Sequence, residues 1–136
     1  MVDINRLILF LALLITGCAE QSPEDIAQNS LIVETHIDTP YRIKAQLDNS
    51  GTFEDIAQNT SYDFDYFRAL SGGLNVPFFS IYLPADTEEA GTSFKLANEL
   101  IDLMNSIIEA NPEKFFLIDT STYLGNLPGQ NLIGIA

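Results

Sequence analysis

The chain has 136 residues, which is enough for one small domain, and 46% of them are hydrophobic, so a real core can form. The 19 acidic residues outnumber the 6 lysines and arginines, and the formal net charge is −13. This balance argues against nucleic-acid binding, which needs a basic surface, and against simple adsorption to anionic lipid.

The N-terminal segment is predicted to be a targeting signal and not part of the fold. Residues 7–15, LILFLALLI, form an apolar run far shorter than the roughly 20 residues of a membrane-spanning helix, and the run fits a signal peptide. The segment Ile15-Thr16-Gly17-Cys18 that follows is similar to a bacterial lipobox. We therefore expect residues 1–17 to be a lipoprotein signal peptide and Cys18 to be lipidated. The alternative is an ordinary secretory signal with an incidental cysteine.

A lipid on Cys18 would anchor the protein in the bacterial cell envelope, on the extracytoplasmic side of a membrane that the folded part does not enter. Cys18 is the single cysteine of the chain, so no intrachain disulfide can form. Residues 18–30 are expected to be a tether that runs into a short helix. Ser22 supplies an N-cap, Pro23 suits the first helical position, and acidic residues occupy the first turn.

The rest of the chain is predicted to alternate strands with helices. The predicted strands are residues 31–37, 74–83, 115–118 and 132–136, and the predicted helices are residues 64–70 and 92–110. The longer helix is the clearest, because its apolar residues recur at a spacing of three and four. Residues 84–89 are predicted to be a loop. The alternation favours an α/β fold in which helices cover a parallel sheet.

One hexapeptide, Glu-Asp-Ile-Ala-Gln-Asn, occurs at residues 24–29 and again at residues 54–59. The flanking residues do not match, and a solenoid needs more copies of a longer unit. We interpret the repeat as coincidence or local duplication and assign it no function.

The single histidine lies near the end of the first predicted strand. Because side chains alternate along a strand, Glu34, His36 and Asp38 are expected to share one face. The opposite, apolar face is expected to pack against helices and to hold Leu31, Val33 and Ile37. Polar residues at the C-terminal end of a strand are typical of a β/α-barrel, and an imidazole and a carboxylate can hold one cation. The alternatives are a His–Asp pair that only hydrogen-bonds, or an exposed histidine.

Three segments together are similar to the membrane dipeptidase (renal dipeptidase) family. They are ETHIDTPYRI at residues 34–43, FRALSGGLNVPFFSIYLP at residues 67–84 and NLIGIA at residues 131–136. The likeness covers nearly all of the chain after the signal. The family belongs to the metal-dependent amidohydrolase group of TIM barrels. The resemblance implies that residues 31–136 form the N-terminal portion, about three to four βα units, of an incomplete (β/α)8 barrel.

The resemblance also implies a zinc-dependent dipeptidase that hydrolyses the peptide bond of dipeptides with a metal-activated water. His36 and Asp38 match the pair that holds one of two zinc ions. Tyr41 and Tyr82 match aromatic positions beside the site and are candidates for lining the substrate pocket. The other metal ligands and the catalytic acid/base would lie beyond Ala136. We therefore expect no catalytic residue within this chain and no activity from this part alone.

One departure from the family pattern concerns Glu34, where the family commonly has aspartate. The basic residues near the predicted site, Arg42, Lys44 and Arg68, are expected to form salt bridges or to be solvated and not to bind the substrate carboxylate.

The expected partners are the dipeptide substrate and a membrane reached through the lipid anchor only, with no nucleic acid. A homodimer of the full-length enzyme is a further option. The alternative function is that of a truncated, non-catalytic lipoprotein that acts as a binding or interaction module. A partner would then cover its open sheet edges.

Overall fold

The structure is a computed structural model that describes residues 21–120, 124 and 127–136. Its helices are α1 (Pro23–Asn29), α2 (Thr39–Ser50), α3 (Tyr66–Ser71), α4 (Ala85–Glu89) and α5 (Ser93–Ala110). Its strands are β1 (Ile32–Ile37), β2 (Leu74–Phe79), β3 (Phe115–Leu117) and β4 (Ile133–Ile135). The predicted signal peptide and lipidation site, Cys18, lie outside the described residues.

The four strands of the described residues run parallel. β1 pairs with β2, and β3 pairs with β4. Two main-chain hydrogen bonds join the pairs: the Phe79 N–H donates to the Ala136 carbonyl at 3.0 Å, and the Ala136 N–H donates to the Pro77 carbonyl at 3.1 Å. In a parallel pair of strands, one residue bonds to the two residues that flank its partner, as Ala136 does with Pro77 and Phe79. The strand order is therefore β1-β2-β4-β3, and the predicted α/β class is confirmed.

The core lies between one face of these strands and the helices α2, α3 and α5. Its central aromatic contacts are edge-to-face, with ring centroids 5.1 Å apart for Phe64 and Phe79 and 5.7 Å apart for Tyr66 and Phe115. Helix α5 buries one apolar stripe, as its periodicity predicts; the stripe consists of Leu100, Met104, Ile107 and Ile108. Burial of this stripe stabilises the helix more than its intrinsic propensity does.

Two helices differ from the sequence predictions. Residues 84–89 were expected to be a loop, and that prediction is wrong, because Ala85–Glu89 form the short helix α4. Helix α2 was not predicted, because its polar composition gives little apolar periodicity. It begins directly after β1, with Pro40 in its first turn, and Gly51 ends it in the left-handed conformation at φ 71°.

The prediction for the two faces of β1 is wrong in part. Leu31 and Val33 are 42% and 40% exposed, and of the predicted apolar face Ile37 alone packs against the core. The pairing with β2 shifts between Glu34 and Ile37, which is the effect of a β-bulge. Strict alternation is therefore lost before the strand ends, and Asp38 already occupies the N-cap position of α2.

Helix α1 has the predicted N-terminus. The Ser22 hydroxyl accepts the Asp25 N–H at 3.0 Å, and the Asp25 carboxylate accepts the Ser22 N–H at 3.2 Å, which completes a capping box. The Gln28 amide docks the helix by donating to the Leu70 and Ser71 carbonyls. Among the described residues, none of the helices combines the length and apolarity required to cross a membrane.

Candidate metal-binding site and adjoining cavity

The C-terminal end of β1 and the start of α2 bring His36 and Asp38 together. The imidazole Nε2 lies 3.2 Å from the Asp38 Oδ1, and the two side chains are 69% and 57% exposed. The strand positions His36, whereas Asp38 is positioned by the turn into the helix. The Ser80 N–H donates to the Ile37 carbonyl at 2.9 Å and fixes the backbone between the two residues. The predicted proximity of this pair is thus observed.

The separation of the two side chains fits a shared cation. Two donors bound to a tetrahedral zinc at about 2.0–2.1 Å lie about 3.3 Å from each other. The 3.2 Å between Nε2 and Oδ1 is close to this value, and it also fits a direct hydrogen bond. Catalytic zinc sites use about three protein ligands. Within the described part of the chain, no group of three or more His, Cys, Asp or Glu residues is placed to hold a metal.

A cavity of about 640 Å³ adjoins the pair, and both His36 and Asp38 lie on its wall. Its charged lining residues come from β1, from α2 and α3, and from the segment between these helices; they are Glu34, Asp38, Arg42, Asp63, Asp65 and Arg68. The volume lies in the range of small-molecule sites, about 300–1,000 Å³. The cavity can therefore accommodate a ligand of dipeptide size beside the His–Asp pair.

Both arginines of the cavity are held by carboxylates. The Arg68 Nε lies 2.6 Å from the buried Asp65 carboxylate. The Arg42 Nε lies 2.5 Å from Glu54, and its Nη1 lies 3.6 Å from Asp63. Lys44, on the other side of α2, pairs with acidic residues as well. The expectation that these basic residues form salt bridges is confirmed.

Asp65 has a structural role at the start of α3. Its carboxylate accepts the Arg68 N–H at 2.9 Å and so caps the helix. Burial raises the pKa of this carboxyl, but hydrogen bonds from the Arg68 main chain, the Arg68 side chain and the Thr60 N–H outweigh it. The pKa of Asp65 therefore lies below its ordinary value of 3.8. The helix was predicted to begin at residue 64, which placed Asp65 inside it, whereas the observed helix begins at Tyr66 with Asp65 as its N-cap. Aspartate is a preferred N-cap residue, and that is the sequence signal that could have identified this start.

Some polar atoms near the cavity have no hydrogen-bond partner within the described residues. They are the Thr39 Oγ1, the Arg42 Nη2 and the Glu54 Oε2, and all three are buried. Thr39 lines the cavity and is 1% exposed. A buried polar group without a partner costs about 1–3 kcal/mol, so this wall retains unmet hydrogen-bonding capacity.

The two tyrosines proposed from the sequence lie together, and neither belongs to the lining of the 640 Å³ cavity. The rings of Tyr41 and Tyr82 pack edge-to-face with their centroids 5.2 Å apart. Tyr82 is 47% exposed. Their assignment to the substrate pocket stays a prediction.

Comparison with known proteins relates the chain to one family. No individually curated protein matches the chain significantly. The family model for the membrane dipeptidases, peptidase family M19, matches residues 20–135, which includes β1, the His36–Asp38 pair and the adjoining cavity. The match spans most of the 136 residues. The chain therefore belongs to the membrane dipeptidase family.

Proposed function

We propose that the protein is a zinc-dependent dipeptidase and that His36 and Asp38 are ligands of one of its two zinc ions. The family match supports hydrolysis of peptides. The 3.2 Å separation between the imidazole nitrogen and the carboxylate oxygen, at the C-terminal end of β1, is the observation that carries the ligand assignment. When bound, zinc supplies an activated water and polarises the scissile carbonyl.

The residues around the pair hold it in place. The Glu34 Oε1 accepts the His36 N–H at 3.2 Å and restrains the main chain beside the imidazole. Asp38 lies at the N-cap position of α2 and makes no side-chain cap hydrogen bond, so its carboxylate is available to a cation. The exposure of both side chains leaves room for further ligands from other parts of the protein.

The proposed fold is the first part of a TIM barrel. Three neighbouring parallel strands in chain order, β1, β2 and β4, with helices on one face support it, and β3 pairs along the outer edge of β4. On the opposite face, Val33 and Phe78 are 40% and 45% exposed. The remaining strands of a barrel would enclose this face.

We also propose that Cys18 is lipidated and anchors the protein to the bacterial envelope. These proposals are supported by the sequence signal alone.

The test is dipeptide hydrolysis by the complete polypeptide that the gene encodes, supplied with zinc. The wild-type protein should release free amino acids from Ala-Ala. His36→Asn and Asp38→Asn should each lower kcat/KM at least a hundredfold, because a lost metal ligand removes both activation of water and polarisation of the carbonyl. Asp48→Asn is the matched control, since Asp48 pairs with Lys44 away from the cavity.

Two outcomes would count against the proposal. Full activity in either ligand variant would overturn the ligand assignment. A wild-type protein that binds zinc but hydrolyses no dipeptide would favour the non-catalytic interaction module instead.

A further inference from the structure

The cavity beside His36 and Asp38 carries an excess of negative charge. Four carboxylates line it, and a fifth, Glu54, is paired with the lining residue Arg42. Two guanidinium groups face these five carboxylates, so three negative charges are left over when the histidine is neutral. A zinc ion held by His36 and Asp38 would engage one of these carboxylates, that of Asp38.

Two further carboxylates of the lining come from separate elements. Glu34 is an exposed residue on β1, and its carboxylate accepts a hydrogen bond from the His36 N–H. Asp63 precedes α3, and its side chain is 100% exposed. The one guanidinium within reach of Asp63, that of Arg42, lies closer to Glu54, at 2.5 Å against 3.6 Å. Within the described chain, Asp63 shares the Arg42 guanidinium with Glu54, and Glu34 has no cationic partner.

An independent feature also points to a polar ligand. Thr39 lines the same cavity and is 1% exposed, and its hydroxyl has no hydrogen-bond partner in the part of the chain that the structure describes. A hydroxyl can accept a hydrogen bond from an ammonium or guanidinium group. The cavity thus offers two carboxylates and a spare hydroxyl to a ligand that donates hydrogen bonds.

We propose that this cavity selects dipeptides that carry a lysine or arginine side chain, with Glu34 and Asp63 as the carboxylates that receive the positive charges. A dipeptide with neutral side chains brings one cationic group, its α-ammonium, whereas a basic dipeptide brings two. The two carboxylates match the two cationic groups of a basic dipeptide. Acidic dipeptides should be rejected, because their side chains would meet like charges. This inference rests on the proposed dipeptidase function.

The first experiment compares hydrolysis of Lys-Ala, Ala-Ala and Asp-Ala by the complete polypeptide. We expect kcat/KM for Lys-Ala to exceed that for Ala-Ala about tenfold, which corresponds to about 1.4 kcal/mol. Glu34→Gln and Asp63→Asn should each reduce this preference, measured as the ratio of kcat/KM for Lys-Ala to that for Ala-Ala. Glu109→Gln and Asp102→Asn are the matched controls, because these exposed residues on α5 carry the same charges outside the cavity. An unchanged preference in both cavity variants, or no preference in the wild type, would overturn the inference.

The second experiment measures binding without catalysis. L-lysinamide and L-norleucinamide have side chains of similar length, and the first carries the additional ammonium group. Calorimetric titration should show about tenfold tighter binding of lysinamide, and Glu34→Gln should remove most of the difference. Equal binding of the two amides would overturn the inference. If the protein binds lysinamide selectively but hydrolyses no dipeptide, the dipeptidase function is overturned, whereas the site that binds cationic side chains is retained.

Discussion

The repeated hexapeptide allows a matched test of the core, because the same isoleucine occurs in two environments. Ile56, in the second copy, is 0% exposed and belongs to the core, whereas Ile26, in the first copy, is 52% exposed on α1. Replacing isoleucine with alanine removes three carbon atoms. At about 0.8 kcal/mol for each buried carbon, the transfer contribution at Ile56 is about 2.4 kcal/mol.

The cavity left behind adds to this loss, and buried isoleucine-to-alanine substitutions cost about 2–5 kcal/mol. We predict that Ile56→Ala lowers the free energy of unfolding by about 3–4 kcal/mol. Ile26→Ala should lower it by about 1 kcal/mol or less, because half of that side chain already contacts water. The two variants make the same substitution within the same six-residue sequence, so the neighbouring residues are held constant.

The assay is equilibrium urea unfolding of the complete polypeptide, followed by circular dichroism, with the slope of the free energy against urea compared between variants. Equal losses of stability in the two variants would refute the assignment of Ile56 to the core. A loss at Ile26 larger than that at Ile56 would refute it as well and would place α1 in a buried position.

Two further predictions concern backbone geometry and pH. Gly73→Ala should destabilise the protein by about 1–3 kcal/mol in the same urea assay, because Gly73 has φ 78° and an added Cβ would lie 2.7 Å from the Ala27 carbonyl oxygen. Gly51 has a similar φ of 71° but open space around it, so Gly51→Ala should cost less. Equal costs for the two variants would contradict the close packing of α1 against Gly73. The lowered pKa of Asp65 predicts a contribution to stability that is present above its ordinary value of 3.8 and is lost as the pH falls through the lowered folded-state pKa. Asp65→Asn should remove this part of the acid dependence of the unfolding free energy, whereas an unchanged pH profile would contradict the role of the Asp65–Arg68 pair.

Several elements could be predicted because their signals are local. Helix α5 follows from its apolar spacing, and α1 follows from Ser22 and Pro23 at its start. The strands follow from short apolar runs, although β2 ends at Phe79, earlier than predicted. The proximity of His36 and Asp38 was predicted from strand alternation. In the structure, the turn from β1 into α2 brings these two side chains together instead.

Other features depend on tertiary contacts that a single sequence does not display. The hexapeptide illustrates this, because its first copy is helical and its second copy is a turn. At the second copy the Asp55 carboxylate accepts the Ala57 N–H, and Ile56 and Ala57 are buried in the core. Burial there overrides the helical preference of the same residues.

The cavity could not be predicted for a related reason. Its wall combines β1 with Asp63 and Asp65, which lie more than twenty residues later in the chain. That segment is joined to α2 by the Arg42 ion pairs with Glu54 and Asp63. These contacts join residues that are distant in the sequence. The sequence therefore predicted salt bridges of these arginines but not the cavity that the paired residues line.

The most direct test of the central claim is the zinc content of the complete polypeptide, measured by mass spectrometry after removal of free metal. The ligand assignment predicts that His36→Asn and Asp38→Asn each lose about one zinc ion per protein molecule, while Asp48→Asn retains the wild-type content. The circular dichroism spectra of the folded variants should match that of the wild type, which separates metal loss from unfolding. Unchanged zinc content in both ligand variants would contradict the account, because it would place the metal away from the end of β1.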